Sequence, residues 1–499
     1  MTAIQQHIIR RTSLKVMTGT SDGFTLQQKI SNLLNGEAIE KMGRLFDDLV
    51  SSEEWLILDR LDIQLGDINA DELESRFADL LTEKLKGVIE DRKAQILTGA
   101  IKGTGSASLM SLQEKTLDAF IVFIEKGMFP WWYEVRSHAE FENEISDAFQ
   151  KFYTLTLSRP GDHYLHELKR ILSHEYAAAR LAVQFSDKVF EQLLEFLSSQ
   201  PGKAPTHGPA VTAMNRISVI LAGMANRLSS GIIIPETLAH IKSLLVQKIA
   251  LAKSNEEITG RWLSDVVQML SSGDMIPVRD EVLNDTELKE LFSGKRIIIS
   301  DDKEKRILTS SHKAEMEPHY LTQAQQSDII REIESLEGVM VKNAGLVIVA
   351  PFLPELFNEC RILEGKKITD PDMALAIMHL IVWGNIDYRE YDTVLSKVLC
   401  NIGSEHHLKL ITRLEPDVYG KVEEMLKATV RNWGALKDTS PDGLRESFLR
   451  RKGKLAFSND SWFLHVEQNT VDILLQSLPW SIGFIRLPWM KAMLRTEWI

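Results

Sequence analysis

The sequence predicts an α+β protein that is mostly α-helical, and three observations predict it. Two short stretches near the start, residues 7–17 and 57–65, alternate apolar and polar residues. Most of the span 109–430 instead repeats its apolar residues at helical spacing. The last seventy or so residues combine a helix start with two strand-like runs around a turn.

In residues 7–17, Ile8, Thr12, Leu14 and Val16 share one parity, and Arg11, Ser13 and Lys15 the other, the pattern of a half-buried strand. Phe24, Leu26, Ile30, Leu33 and Leu34, then Ile39, Met42, Leu45, Phe46 and Leu49, follow a helical period; Gly36 and Gly43 weaken that helix or break it in two. Leu61, Ile63 and Leu65 then alternate with Arg60, Asp62 and Gln64 as a second strand. The order β-α-β predicts parallel strands joined by a right-handed crossover. Asp71 to Leu97 reads as a charged helix, which closes an N-terminal β-α-β domain over 1–98.

Thr98 to Ser108 is small and Gly-rich, a hinge. A helical domain over 109–200 follows. Its first helix carries Leu112, Thr116, Leu117, Phe120 and Ile124 on one side, and Gly127 ends it before Phe129-Pro130-Trp131-Trp132. Pro201 to Pro209 separates this domain from a helical segment at 210–292. Residues 293–326 form a polar linker with an Ile297-Ile298-Ile299 triplet and room for a short strand pair. Residues 327–499 form a C-terminal helical and α+β domain, with a buried-looking stretch at Ala344 to Phe357 and a helix start at Asp370-Pro371.

Ser440-Pro441 marks another helix start, with Ser as N-cap and Pro at N1. This helix is expected to reach Arg450-Arg451-Lys452, where cations suit the negative dipole end, and to stop at Gly453. Lys454 to Phe457 and Trp462 to Val466 flank Ser458-Asn459-Asp460-Ser461 as a β-hairpin. Leu478-Pro479-Trp480 and Leu487-Pro488-Trp489 then bracket the strand candidate Gly483 to Arg486. Four of the ten tryptophans (Trp462, Trp480, Trp489, Trp498) follow Trp433. They read either as ring packing in an α+β core or as a partner-binding surface, since Trp is common in both.

A net charge of −12 (58 basic, 70 acidic residues) argues against a chain whose task is gripping phosphate backbones. Two cysteines, Cys360 and Cys400, cannot build a disulfide framework and point to a reducing, cytoplasmic compartment. No apolar run follows Arg10-Arg11, so a secretory signal is not expected. The longest apolar stretch, Ala344 to Pro354, is shorter than the roughly 20 residues a membrane span needs.

Catalytic patterns are sparse. Gly19-Thr20-Ser21-Asp22-Gly23 fits G-x-S-x-G between a strand and a helix, but these are also the ordinary residues of such a turn, and only one strand precedes it. His163 and His166 share a helix face with His174 nearby, yet no HExxH is present. His406-His407, adjacent on an expected helix, diverge and chelate poorly. Arg450-Arg451-Lys452 reads as a solvated helix end before it reads as a nucleic-acid patch. No phosphate loop, dinucleotide fingerprint or CxxC occurs. The expectation is a protein that is not an enzyme, without catalytic, cofactor or metal residues.

Four ordered blocks resemble one family. They are HIIRRTSLKV (7–16) with LILDRLDIQLG (56–66), and FIEKGMFPWW (123–132). The others are VKNAGLVIVAPFLPELF (341–357) with LSKVLC (395–400), and WGALKDTSPDGLRESFLRRKGKL (433–455) with LPWSIGFIRLPWM (478–490) and the Glu497-Trp498 end. They are similar to the tape measure proteins of extracellular contractile injection systems, the phage-tail-like particles of the antifeeding-prophage type. Residues 200–325 carry little of the likeness. Met340-Val341-Lys342 departs from the family's Y-V-x lead-in, although Asn343-Ala344-Gly345 is intact.

The resemblance implies assembly work: setting inner-tube and sheath length in contact with tube, spike hub or baseplate proteins, at a few copies per particle. It implies no catalytic residue, cofactor, nucleic acid or membrane insertion. The alternative of the same class is an assembly chaperone or baseplate adaptor. Trp131, Trp132, Trp480, Trp489 and Trp498 are the expected partner contacts. As one helix the chain would reach roughly 750 Å, but its strands, prolines and Trp-rich end predict a compact fold. Either parts unwind inside the tube, or the compact state precedes assembly.

Overall fold

The computed structural model describes residues 7–498 apart from 8, 10, 11, 13, 19–22, 52–53, 59–60, 99–106, 156–159, 199–208, 225–232, 252–254, 272–274, 292–337, 404–405, 407, 410 and 412. The chain divides into two compact units, Met1–Leu117 and Asp118–Ile499. It is mostly helical with small sheets, the predicted class.

The first unit opens with α1 (Gly23–Leu33) and α2 (Ile39–Leu49). They meet at a π-turn over Leu34–Ala38, where Gly36 leaves helical geometry (φ −102°, ψ −111°). Gly36 therefore breaks the predicted helix, and Gly43 stays inside α2. Next come β1 (Glu54–Leu58), α3 (Leu73–Leu97) and β2 (Ala107–Ser111). The parallel pairing is overturned: β1 pairs antiparallel with β2, Glu54 opposite Ser111 and Leu58 opposite Ala107.

The described part of residues 7–17 lies in no strand, and Leu61, Ile63 and Leu65 belong to no ladder. Their alternation is nonetheless real. They are half-buried while Asp62 and Gln64 are exposed, because their side chains pack on small cores under α2 and α3. Period-two burial needs only extended backbone on an apolar surface. The glycine-rich stretch before Ala107, the Ile297 triplet and Ser21 lie outside the described residues.

The second unit begins as stacked helices. They are α4 (Leu112–Lys126, from Asp118 onward), α5 (His138–Leu155), α6 (Pro160–Leu172), α7 (Glu175–Gln184) and α8 (Asp187–Ser198). Then follow α9 (Pro209–Met224), α10 (Ile233–Leu251), α11 (Asn255–Met269), α12 (Ile276–Asn284) and α13 (Thr286–Leu291). α10 lies against α6, α7, α8, α9 and α11, and α9 carries α12 and α13. The described helices between Pro209 and Leu291 thus pack as tertiary structure.

The C-terminal part contains β3 (Val339–Val341), α14 (Leu346–Val349), α15 (Leu353–Glu359) and a β4–β5 hairpin (Leu363–Glu364, Lys367–Ile368). It continues through α16 (Pro371–Trp383), α17 (Val394–Cys400), α18 (Pro416–Asn432) and α19 (Pro441–Leu444) to β6 (Gly453–Ser458), β7 (Ser461–Val466), β8 (Phe484–Ile485) and β9 (Met493–Glu497). The sheet order is β3-β6-β7-β9-β8, antiparallel except for β7–β9. Asn459 and Asp460 both take left-handed φ (48° and 56°), as a two-residue turn matched to strand twist requires. Leu455, Trp462, Leu464 and Leu494 face the core from this sheet.

α16 is the central helix, buried at every position from Ala374 to Val382. Asp370 caps it by accepting from the Met373 amide at 2.9 Å. Two arginines satisfy its last carbonyls. Arg445 Nε donates to Ile381 O (3.0 Å), and Arg450 Nε and Nη2 donate to Val382 O (3.2 Å) and Trp383 O (3.3 Å). Arg450 and Arg451 are therefore not a solvated helix end. The predicted helix from Ser440 turns through a π-turn at Arg445–Leu449, and Gly453 begins β6. Gly345 shows why the Asn-Ala-Gly block must approach this turn without a side chain: a Cβ there would sit 1.9 Å from Phe448 O.

A clasp and a tryptophan set as the candidate interaction site

The end of the helix in the FIEKGMFPWW block meets a buried polar cluster of the second unit. α4 ends at Lys126, and Gly127 turns the chain at φ +70°, its amide on Phe123 O at 2.7 Å. The α4 carbonyls left over, Ile124 O and Glu125 O, accept from Arg180 Nη1 at 2.5 and 2.9 Å. Arg180 also makes a two-pronged pair with Glu390: Nε to Oε2 at 2.9 Å and Nη2 to Oε1 at 3.1 Å. Lys397 Nζ donates to the same Oε1 at 2.6 Å, and Gln184 Oε1 accepts from the Glu390 amide at 3.1 Å.

The side chains of Arg180 and Glu390 are fully buried, and that of Lys397 nearly so. Burial alone would raise the Glu390 carboxyl, but Arg180 and Lys397 hold it well below the ordinary carboxylate range. A Cβ on residue 127 would stand 2.5 Å from Glu390 Oε1, so the glycine is required by the carboxylate as well as by its backbone. Geometry and donors together satisfy an ion cluster that burial would otherwise make costly.

Aromatic rings surround the cluster. Phe129 stacks on Phe123 (5.0 Å between centroids), meets Phe141 edge-on (4.9 Å) and lies 5.1 Å from Tyr391. His138 lies parallel to Tyr391 at 6.2 Å; burial, and secondarily Arg389, lower its pKa. A short turn at Glu390–Thr393 is thus the key that fits the α4–α7 helices, Glu390 on Arg180 and Tyr391 among the rings. Sequence reasoning missed Arg180, Glu390 and Lys397, because no local signal links residues 210 positions apart.

The structure separates the five predicted tryptophans. Trp489 is buried, stacks on Phe357 (5.4 Å), and donates from Nε1 to Leu399 O at 2.7 Å. Trp498 is buried, donates to Asp472 Oδ2 at 3.1 Å, and lies under the guanidinium of Arg451, which also pairs with Asp472. Trp480 is half-buried, with Nε1 on Ile348 O at 2.9 Å and Phe352 edge-on. Trp131 and Trp132, on the turn after Pro130, are also half-buried. Trp433, not singled out as a contact, is wholly buried and donates to Leu474 O and Ser477 Oγ.

The remaining candidates separate similarly. His163 and His166 are exposed on α6, and His406 lies outside any helix, bonded to Asp372 Oδ1 at 2.8 Å. Among the described residues no cluster of three or more His, Cys, Asp or Glu could hold a metal, and no helix is long and apolar enough to cross a membrane.

The described residues of the second unit form a stacked helical array and a mixed sheet, with buried charges paired among themselves. The profile of the contractile injection system tape measure protein family matches residues 6–498, and the chain belongs to this family. No curated protein and no solved structure matches it. The family is one of particle assembly, and its members interact with other proteins of the particle.

Proposed function

We propose that the chain acts as the tape measure that sets inner-tube and sheath length, working in a few copies and contacting tube, spike hub or baseplate proteins. The observation that carries this reading is the family match across nearly the whole chain, 6–498. Trp131, Trp132 and Trp480 supply contact surface, because their rings keep some exposure. Trp489 and Trp498 hold the module that presents them, their N–H groups being already committed. Assembly takes place in the cytoplasm, and the chain then sits inside the tube of the finished particle. The reading needs no enzymatic step, nucleic acid or membrane insertion.

The test is an in-frame deletion of 212–290, with particle length read by electron microscopy. A ruler in which these residues extend as helix shortens by up to roughly 120 Å, at about 1.5 Å per residue. Unchanged length sinks it. A second reading is an assembly chaperone or baseplate adaptor of the same particle. It is favoured by the shortness of the helices, the longest described one having 25 residues, about 37 Å. Mass spectrometry of purified particles separates the two: a ruler remains at a few copies, and a chaperone is absent.

A further inference from the structure

The mixed sheet of the C-terminal part buries one face and leaves exposed side chains on the other. Leu455, Leu464 and Leu494 point into the core, and so does Ile485 of β8. The alternate residues point outward. Phe484 lies opposite Arg495, and Arg495 opposite Phe463, so the three form one row across the outer face. The Arg495 guanidinium lies over the Phe463 ring at 5.5 Å, and Phe484 keeps 65% of its surface exposed. Arg486 shares the parity of Phe484 and is exposed as well.

This row ends at an open edge. β8 is the last strand of the sheet, and among the described residues no strand lies beyond it. Gly483 O accepts from the Thr496 amide at 2.9 Å. In an antiparallel ladder the backbone groups of alternate residues face opposite ways, so the Phe484 N–H and C=O point to the edge. Beyond its chain neighbours, a Cβ on Gly483 would meet only Ser481 Oγ, 3.9 Å away, among the described residues. An exposed ring beside outward backbone groups is what a partner adding a strand engages: the backbone supplies affinity and the alternate side chains supply specificity.

Charge selects the occupant. The whole chain has net charge −12, yet residues 478–499 carry three cations (Arg486, Lys491, Arg495) and one acid, Glu497. Glu497 Oε2 lies 3.5 Å from His465 Nδ1. Among the described residues neither Arg486 nor Arg495 has a carboxylate partner. A strand laid along β8 places one side chain opposite Phe484 and another, two positions on, opposite Arg486. The first site fits an apolar residue and the second a carboxylate. We propose that the β8 edge takes an extended acidic segment of another protein, one with an apolar residue and a carboxylate two positions apart, as an added strand of this sheet. The inference goes beyond the ruler reading and holds for a ruler or an adaptor alike.

The experiment uses the full chain. The probe is a fluorescein-labelled peptide that repeats Thr-Val-Thr-Glu, so that Val and Glu alternate on one face of the strand; its control repeats Thr-Val-Thr-Lys. Fluorescence anisotropy should show saturable binding of the acidic peptide and binding of the basic one weaker by about tenfold or more. Phe484→Asp should weaken the acidic peptide about tenfold. Arg486→Glu with Arg495→Glu should reverse the preference, so that the basic peptide binds better. All three side chains are exposed, and a reversed preference is a gain that a misfolded chain does not give. No saturable binding of the acidic peptide up to about 1 mM overturns the proposal. So does equal binding of the two peptides, or binding that survives Phe484→Asp. Self-association of the chain that Phe484→Asp removes, and that the acidic peptide fails to displace, also overturns it by seating a second copy at this edge.

Discussion

The first unit and residues 339–499 solve the same problem with different thoroughness. The C-terminal part buries one continuous core running from Val339 to Trp498. Among its described residues the first unit buries two small clusters, of five and four buried residues, bridged by half-buried Leu34 and Leu81. In the C-terminal part Trp433, Trp480, Trp489 and Trp498 each place their N–H on an acceptor, and Arg445, Arg450 and Arg451 finish helix ends or cover carboxylates. The first unit leaves Met17, Phe24, Ile39 and Leu97 exposed. Stability is therefore uneven along the chain: small cores with exposed apolar residues open locally at low cost, while a continuous core opens only with the global transition.

Glu390→Ala is the largest expected perturbation. It leaves Arg180 and Lys397 buried without their shared counter-charge, an effect of about 3–5 kcal/mol. Hydrogen exchange followed by peptide should accelerate strongly in α7 and α16, while α1 and α2 keep their rates. If the first-unit peptides accelerate in step, the two regions are one cooperative body and the contrast fails.

Trp489→Ala sharpens the contrast inside the tryptophan set. Removing a buried, hydrogen-bonded ring costs about 3–5 kcal/mol. Trp131→Ala and Trp132→Ala, on half-buried rings, should each cost about 1 kcal/mol or less and instead reduce incorporation into particles. Urea midpoints and particle copy number, measured together, check both halves. Equal midpoints for Trp489→Ala and Trp131→Ala would remove the distinction.

The same contrast explains what the sequence made legible. Signals confined to one turn were readable: the Asp370 and Ser440 caps, the left-handed Gly127 and the Asn459-Asp460 hairpin each place one residue in one backbone conformation. Helical spacing was readable wherever one face is buried. Long-range partnership was not. The strand expected at 57–65 overlaps β1 only at Ile57 and Leu58, and only the fold shows β2 as the antiparallel partner of β1. Arg450-Arg451 looks solvated because sequence shows two adjacent cations and not the carbonyls of α16 or the Asp472 carboxylate they reach. The clasp itself, the centre of the candidate site, is formed by an arginine and a glutamate that nothing local distinguishes from surface charges.

Acidity separates two carboxylates in the same turn. The Asp392 carboxyl is pushed up to about 6 by burial, although it accepts from the Arg389 amide at 3.0 Å. A folded value above the unfolded one contributes stability below about pH 4 that is lost as pH rises through about 6. Glu390 has the opposite sign: its depressed value contributes above the ordinary carboxylate range and is lost on acidification. Asp392→Asn should match the parent near pH 4 and exceed it by about 1–2 kcal/mol at pH 7. Urea midpoints across pH 4–7 test this, and parallel curves for the two proteins would refute it.

A similarly small effect tests whether local signals carry energy of their own inside the continuous core. Ser440 sits outside the helix at ψ 161°, and its Oγ accepts from the Gly443 amide at 3.1 Å, with Pro441 at the first helical position. Ser440→Ala removes that acceptor and should cost about 1 kcal/mol. The loss should stay local, because α19 is only four residues long and Arg445, the next residue, is held by Ile381 O, Glu423 and Asp442. A drop in the urea midpoint with unchanged exchange in α16 is the expected result. A drop several times larger would mean that the cap positions Arg445, and through it the end of the central helix.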